Sequence, residues 1–163
     1  MFYKRLGSTA VLLMLLVFPV SASMVSILVV ETGVNERVST GQFSSIWEGG
    51  LMAAFYDAGH IVTNSPIEKM ERRPGPNLNG RLMENFHEAI NGGADYFVLG
   101  LIEYNTREGN ALPVGIVLQL FDSMSGRMIY EQRFPAVTGR SNNEEFQIAQ
   151  NAGRVIISQI RGR

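Results

Sequence analysis

Val25-Ser26-Ile27-Leu28-Val29-Val30 is the stretch whose reading decides the fold. It is rich in β-branched residues, almost wholly apolar and of strand length, the composition of a central strand covered on both faces. Glu31-Thr32-Gly33 is expected to end it. Ser39 followed three residues later by Gln42 predicts a capping box. From there Phe43, Trp47, Gly50, Leu51, Ala54, Phe55 and Ala58 recur at helical spacing up to Gly59, so a helix is expected over Gln42 to Ala58. Gly49 and Gly50 inside that helix cost roughly 1 kcal/mol each relative to Ala, and they mark either close packing on the sheet or a neighbour, or a kink.

Working outward, His60 to Asn64 reads as a second strand, and Pro66 to Gly80 as a loop that Pro and Gly keep out of regular structure. Arg81 to Ile90 places Leu82, Phe86, Ala89 and Ile90 on one face of a second helix, closed by Asn91-Gly92-Gly93. Asp95 to Ile102 is the third strand. Val114 to Phe121 and Met128 to Val137 are two more, joined as a hairpin by the turn Asp122-Ser123-Met124-Ser125-Gly126. Asn142 or Asn143 is expected to cap a last helix running from Glu144 to about Ile160, with Phe146, Ala149, Gly153, Ile156 and Ile160 on its buried face. The order β-α-β-α-β-β-β-α predicts one α/β domain with a mixed sheet: parallel crossovers first, an antiparallel hairpin afterwards. Phe55, Leu99, Phe121 and Ile156 are expected in its core.

Lys4 and Arg5 precede an apolar run from Leu6 to Val20, broken by Pro19 before the small residues Ser21, Ala22 and Ser23. This is the three-part plan of a secretory signal peptide, and the run is shorter than the roughly 20 residues a membrane-crossing helix needs. Cleavage is expected after Ala22, with Ser23 as the close alternative. The domain would then span 23–163, and no second segment of spanning length follows. Of the 14 Lys and Arg, two leave with residues 1–22, so 12 basic groups stand against 15 acidic ones. That charge argues against a nucleic-acid surface, which depends on neutralising phosphates. The chain has 163 residues and no cysteine, which excludes disulfides, Cys-based zinc, a thiol nucleophile and a lipidated N-terminal cysteine. With only His60 and His87, a His-rich metal site is excluded as well.

Catalytic patterns are sparse. Asp57 and His60 lie three apart, but Gly59 turns the chain between them, and His87 fits the polar face of its helix. Glu84, Glu88, Asp95 and Glu103 are the remaining carboxylates near element ends, from which a glycosidase-like pair could be assembled only if the fold converges them. Ser44-Ser45, Ser123 and Ser125 lack the G-x-S-x-G context, and no glycine pattern cradles a phosphate. No cofactor is expected. Arg72 and Arg73, framed by Pro74 and Pro76 in the long loop, are the local basic cluster and the expected partner-binding site, the alternative being a solvated loop.

Ile27-Leu28-Val29-Val30, then Phe55-Tyr56-Asp57-Ala58-Gly59-His60-Ile61-Val62, then Gly93-Ala94-Asp95-Tyr96-Phe97-Val98-Leu99-Gly100-Leu101-Ile102, and finally the strand-turn-strand from Val117 to Tyr130 carry a resemblance. The succession resembles the periplasmic α/β domains related to the curli secretion-channel protein, the lipoprotein activator of penicillin-binding proteins and the TolB amino-terminal domain. The resemblance implies a non-enzymatic adaptor or assembly subunit of the bacterial envelope that binds another envelope protein, with self-association as a further possibility. A small carboxylate-based hydrolase or sugar-binding protein is the alternative of another class. The missing cysteine at the cleavage site speaks against a lipid anchor, and the missing long insertion against a secretion pore. Intact-mass measurement of the exported protein is expected to show a chain beginning at Ser23; retention of Met1 would overturn the export reading.

Overall fold

The computed structural model describes residues 22–75, 78, 80–107 and 110–160. Its first strand, β1 (Met24–Thr32), is flanked by β2 (Ile61–Asn64) and β3 (Glu68–Met70) on one side and β4 (Tyr96–Arg107) on the other, all parallel to it. β5 (Asn110–Asp122) and β6 (Arg127–Pro135) then add antiparallel strands, giving the order β2-β1-β4-β5-β6 with β3 beside β1. The helices are α1 (Phe43–Asp57), α2 (Gly80–Asn91) and α3 (Asn142–Ile157). The mixed α/β architecture read from the sequence is therefore present, with one strand more than expected.

That strand is β3, which lies within the stretch assigned to a loop. β2 pairs β1 only as far as Asn64 opposite Ile27, so the end of β1 would present open backbone groups on that side. Glu68 to Met70 cover Val30 to Thr32, after Pro66 has interrupted the edge. β4 and β5 also run further than their apolar stretches predict. Their ladder continues from Glu103 opposite Gly115 to Arg107 opposite Asn110, with a register shift at Glu103/Tyr104 that leaves Val114 without an opposite residue.

Two cores form on the two faces of the sheet. On one face Val25, Ile27, Val29, Val98, Ile102, Leu118 and Leu120 pack with Trp47, Leu51 and Phe55 of α1 and Ala149, Ala152 and Ile156 of α3. On the other, Leu28, Val30, Leu99 and Leu101 meet Leu82, Phe86 and Ala89 of α2. There Phe86 stands edge-on to Phe97 at 5.4 Å between ring centres, and both pack on Phe121. The four expected core residues, Phe55, Leu99, Phe121 and Ile156, are all buried.

Helix starts depart from the sequence reading. Gln42 is the N-cap of α1 and makes no side-chain capping bond, so the Ser39/Gln42 box does not form. α3 is capped one residue earlier than expected, by Ser141. Its hydroxyl accepts from the amide of Glu144, and the Glu144 carboxylate accepts from the Ser141 amide at 2.8 Å. The Ser141 amide first, and the Ser141 hydroxyl donating to the same oxygen at 2.8 Å second, hold the Glu144 carboxyl below its ordinary value. The cap's contribution to stability is therefore complete above the ordinary carboxylate value and is lost as the pH falls through the lowered one.

Of the two interior glycines of α1, Gly50 answers to close packing, here against α3, whereas a Cβ on Gly49 would make only an ordinary contact of 3.6 Å with the Phe146 ring. A methyl on Gly50 would stand 2.6 Å from Ala149 Cβ and 2.8 Å from the Phe146 carbonyl oxygen, and one on Gly153 would stand 2.7 Å from Ala54 Cβ. The two contacts are reciprocal, one small residue of each helix facing one of the other. Alanine is the better helix former by roughly 1 kcal/mol, while overpacking a rigid contact costs roughly 1–3 kcal/mol. Two contacts under 3.0 Å, one of them to backbone, place the cost at the upper end, so Gly50→Ala is expected to lower stability by about 2 kcal/mol, read as a lower urea midpoint at unchanged slope. Ala149→Gly placed with it should recover part of the loss.

Candidate functional site

Each parallel strand of an α/β sheet ends on the side where its loops gather, and in open sheets that side is where ligands collect. Here the carboxyl ends of β1, β3 and β4 meet the loop before α1, the start of α2 and the segment before α3. Gly33 turns β1 out of the sheet with φ +82, and its position admits no side chain, since a Cβ would stand 2.3 Å from the Tyr104 carbonyl oxygen.

Polar side chains at this end are paired across long sequence separations. Buried Glu31 accepts from Thr40 Oγ1 at 2.8 Å, with Lys69 Nζ 3.9 Å away and itself bonded to the Val38 carbonyl at 2.7 Å. Ser44 Oγ and Tyr104 Oη share a hydrogen bond of 2.9 Å in the core. Glu145, 4% exposed, accepts from Trp47 Nε1 at 2.8 Å and from Arg140 Nη1 at 3.5 Å. Glu103 is held by Arg73 at 2.9 Å and by two bonds of 3.1 Å from Arg133. The last cluster closes over Gly115, which leaves the gap that Glu103 fills: a Cβ there would stand 3.0 Å from Glu103 Oε2.

The expected partner-binding residues divide. Both arginines are exposed, and Arg73 bonds Glu103 at 2.9 Å whereas Arg72 makes no such bond among the described residues. Pro74 is half-buried, and Pro76 lies outside the described residues. Arg72 stands with Arg81, Lys69, Met70, Val34 and the carboxylates Glu36 and Glu71 around a crevice of about 540 Å³. Among the described residues neither Arg72 nor Arg81 has a carboxylate within salt-bridge distance. Arg81 lies in the first turn of α2, where the helix dipole disfavours a cation. It was not singled out from the sequence, and its separation from Arg72 hid the pairing.

The other candidates are dispersed. Asp57 accepts from Gln150 Nε2 at 3.1 Å, while the His60 ring packs on Phe55 with centres 5.8 Å apart. Glu84, His87 and Glu88 are exposed on α2. Asp95 accepts from the Met24 amide at 2.9 Å, at the opposite end of β4 from Glu103. Eight residues of strand separate those two carboxylates, roughly 26 Å, well beyond the roughly 10 Å at which a glycosidase pair works. Among the described residues no three His, Cys, Asp or Glu stand together to hold a metal, and no helix is long and apolar enough to cross a membrane.

No protein-family model matches this chain, and no curated protein matches it. Solved structures do. The PelC dodecamer from Paraburkholderia phytofirmans is 13% identical with a TM-score of 0.51, covering 87% of this chain and 90% of that one. The C-terminal domain of LpoB from Salmonella enterica is 16% identical with a TM-score of 0.44, over 71% of this chain and 82% of that one. TolB from Acinetobacter baumannii is 13% identical with a TM-score of 0.40, over 85% of this chain but 27% of that one. The likeness to the PelC structure is one of fold.

Tyr104 supplies the measurable electrostatics of this end. Burial pushes its phenol up to about 12, the Ser44 hydrogen bond opposing and the Glu31 carboxylate reinforcing the shift. Between pH 10 and 12 the unfolded chain loses the tyrosine proton while the folded one keeps it, so folding stability falls as the pH rises through that window. A shift of this size corresponds to roughly 2–3 kcal/mol. Denaturation midpoints measured from pH 9 to 12 are expected to decline more steeply for the wild type than for Tyr104→Phe.

Proposed function

We propose that this chain is a soluble periplasmic domain of the bacterial envelope, exported by its N-terminal signal peptide, that binds another envelope protein and carries no chemistry of its own. The observation that carries the reading is the crevice beside Arg72 and Arg81. Among the described residues two guanidinium groups without carboxylate partners stand beside buried Val34 and half-buried Met70, and with Lys69 they make three cations against Glu36 and Glu71 in the same lining. Such a surface suits an acidic, partly apolar segment of a partner, because arginine offers paired donors to carboxylates while half-buried Met70 meets the neighbouring side chains. Arg73 supports the same reading indirectly, since its bond to Glu103 fixes the loop and leaves less to order on binding. The carboxylates that would serve a hydrolase are engaged in structural pairs or stand on solvent-facing positions.

A second reading, self-association, is favoured by one observation: the fold is shared with a protein whose solved form is a dodecamer. Exposed Met128 and Ile129 on the edge strand β6 offer this chain an apolar surface for it. Light scattering on the exported protein separates the two, a mass several times that of one chain favouring assembly.

Photo-crosslinking in living cells tests the first reading. A crosslinker at position 72 is expected to yield an adduct with one envelope protein, and a crosslinker at Tyr56, exposed on α1, is expected to give none. Arg72→Glu with Arg81→Glu should reduce capture at least ten-fold while leaving the melting temperature unchanged or higher, because a carboxylate suits the first turn of α2 better than a cation. Capture by the double variant equal to the wild type at low salt would move the search to other faces.

A further inference from the structure

β6 ends the sheet, and its outer edge is open. Among the described residues the backbone of Met128 to Pro135 makes no hydrogen bond beyond the ladder with β5. Such an edge is a template for another strand, and folds guard it with bulges, proline or charged side chains. β6 has a register shift near its start, opposite Leu120/Phe121, and Pro135 at its end. Between these guards Tyr130 to Phe134 pairs regularly. Its two charges, Glu131 and Arg133, are of opposite sign and two residues apart, so they share one face of the sheet. Arg133 gives two donors to Glu103 and Glu131 accepts from Gln119, yet both side chains stay exposed. Tyr130 and Phe134, on the other face, are half-buried against the core shared with α1 and α3.

We propose that β6 pairs antiparallel with β6 of a second copy about a two-fold axis through Gln132, joining two sheets into one. This names the surface for the self-association reading and rests on it. A two-fold axis perpendicular to the sheet keeps every side chain on its own face, so it passes through a residue position and few registers are open. Charges guard an edge by meeting their like on an incoming copy. Centred on Glu131 the strands overlap furthest, but Glu131 meets its twin; centred on Tyr130, Arg127 meets Arg133. Centred on Ile129, Arg127 meets Glu131, but the overlap ends at those residues. Centred on Gln132, Glu131 stands opposite Arg133 on both sides of the axis, Tyr130 stands opposite Phe134, and pairing runs from Ile129 to Pro135. Opposite charges directly across an antiparallel pair attract and like ones destabilise it, so the sequence of β6 favours this register.

The chain has no cysteine, so a single introduced thiol reports on one position. At the two-fold axis the opposed Cα atoms lie roughly 4.5–5.5 Å apart, within reach of a disulfide. Gln132→Cys in the exported protein is expected to form a disulfide-linked dimer at least ten-fold faster than Met128→Cys, whose thiols would stand eight residue steps apart, roughly 26 Å. Sedimentation of the wild type should give a mass of two chains, or an even multiple, that falls to one chain on dilution. Glu131→Arg and Arg133→Glu each set like charges opposite and should each weaken assembly at least ten-fold, with the fold kept, as checked by a cooperative melt. Mixed one to one, the two variants should assemble again, because each then meets opposite charge at both positions. A merely structural role for either residue gives no such rescue. Equal linking at positions 128 and 132, single variants that assemble like the wild type, or a mixture no tighter than its components would overturn the β6 pairing and leave self-association to another face. A mass of one chain at every concentration would overturn both.

Discussion

The pairing of β1 with β4 is the constraint on which the structure rests. The two strands run in register from Val25 opposite Tyr96 to Thr32 opposite Glu103, and from Val25 to Thr32 every residue of β1 is buried. A strand buried on both faces cannot be finished by one helix. It needs α1 and α3 on one side and α2 on the other, and its open edge needs both β2 and β3. Helix placement follows from this, including the close α1–α3 approach at Gly50 and Gly153, which lets two helices share the width of one sheet face.

Local patterns reached far into the fold because β1, α1, α2 and the β5–β6 turn are written in contiguous residues. The run Val25 to Val30 shows a doubly covered strand, and the glycines of α1 show a close contact before its partner is known. Physical information that resides in another part of the chain was not legible. Glu68-Lys69-Met70 has no strand signature of its own and becomes one because β1 leaves backbone groups open beside it. Asn105 to Arg107 extends β4 because β5 returns alongside and supplies its hydrogen bonds. The cap of α3 was legible and was read one residue late: Ser141 with Glu144 three residues on is a complete capping box in the sequence.

The candidate site was legible only in part, for the same reason. Arg72 and Arg73 stand out as adjacent cations, but adjacency conceals that one bonds Glu103 and the other does not. Arg81 enters the crevice through the start of α2, where periodicity marks a helix and says nothing of a binding surface. Trp47 and Glu145 are separated by 98 residues and meet because α1 and α3 are pressed together by the glycine contacts below them.

Net charge is a poor guide to what such a surface attracts. The chain beyond residue 22 carries more acidic than basic groups, yet Lys69, Arg72, Arg73, Arg81 and Arg140 all sit toward the carboxyl ends of the parallel strands. Three of the five are spent within the fold, on Glu31, Glu103 and Glu145. Pairing of that kind neutralises charge without opening a site, and it fixes the loops on which the unpaired cations stand. Arg72 and Arg81 differ from the rest in being left over, and α2 would be more stable without a cation in its first turn. Arg81 is thus a cation that its own helix does not favour, standing beside Arg72, Val34 and Met70 with Glu36 and Glu71 in the same lining.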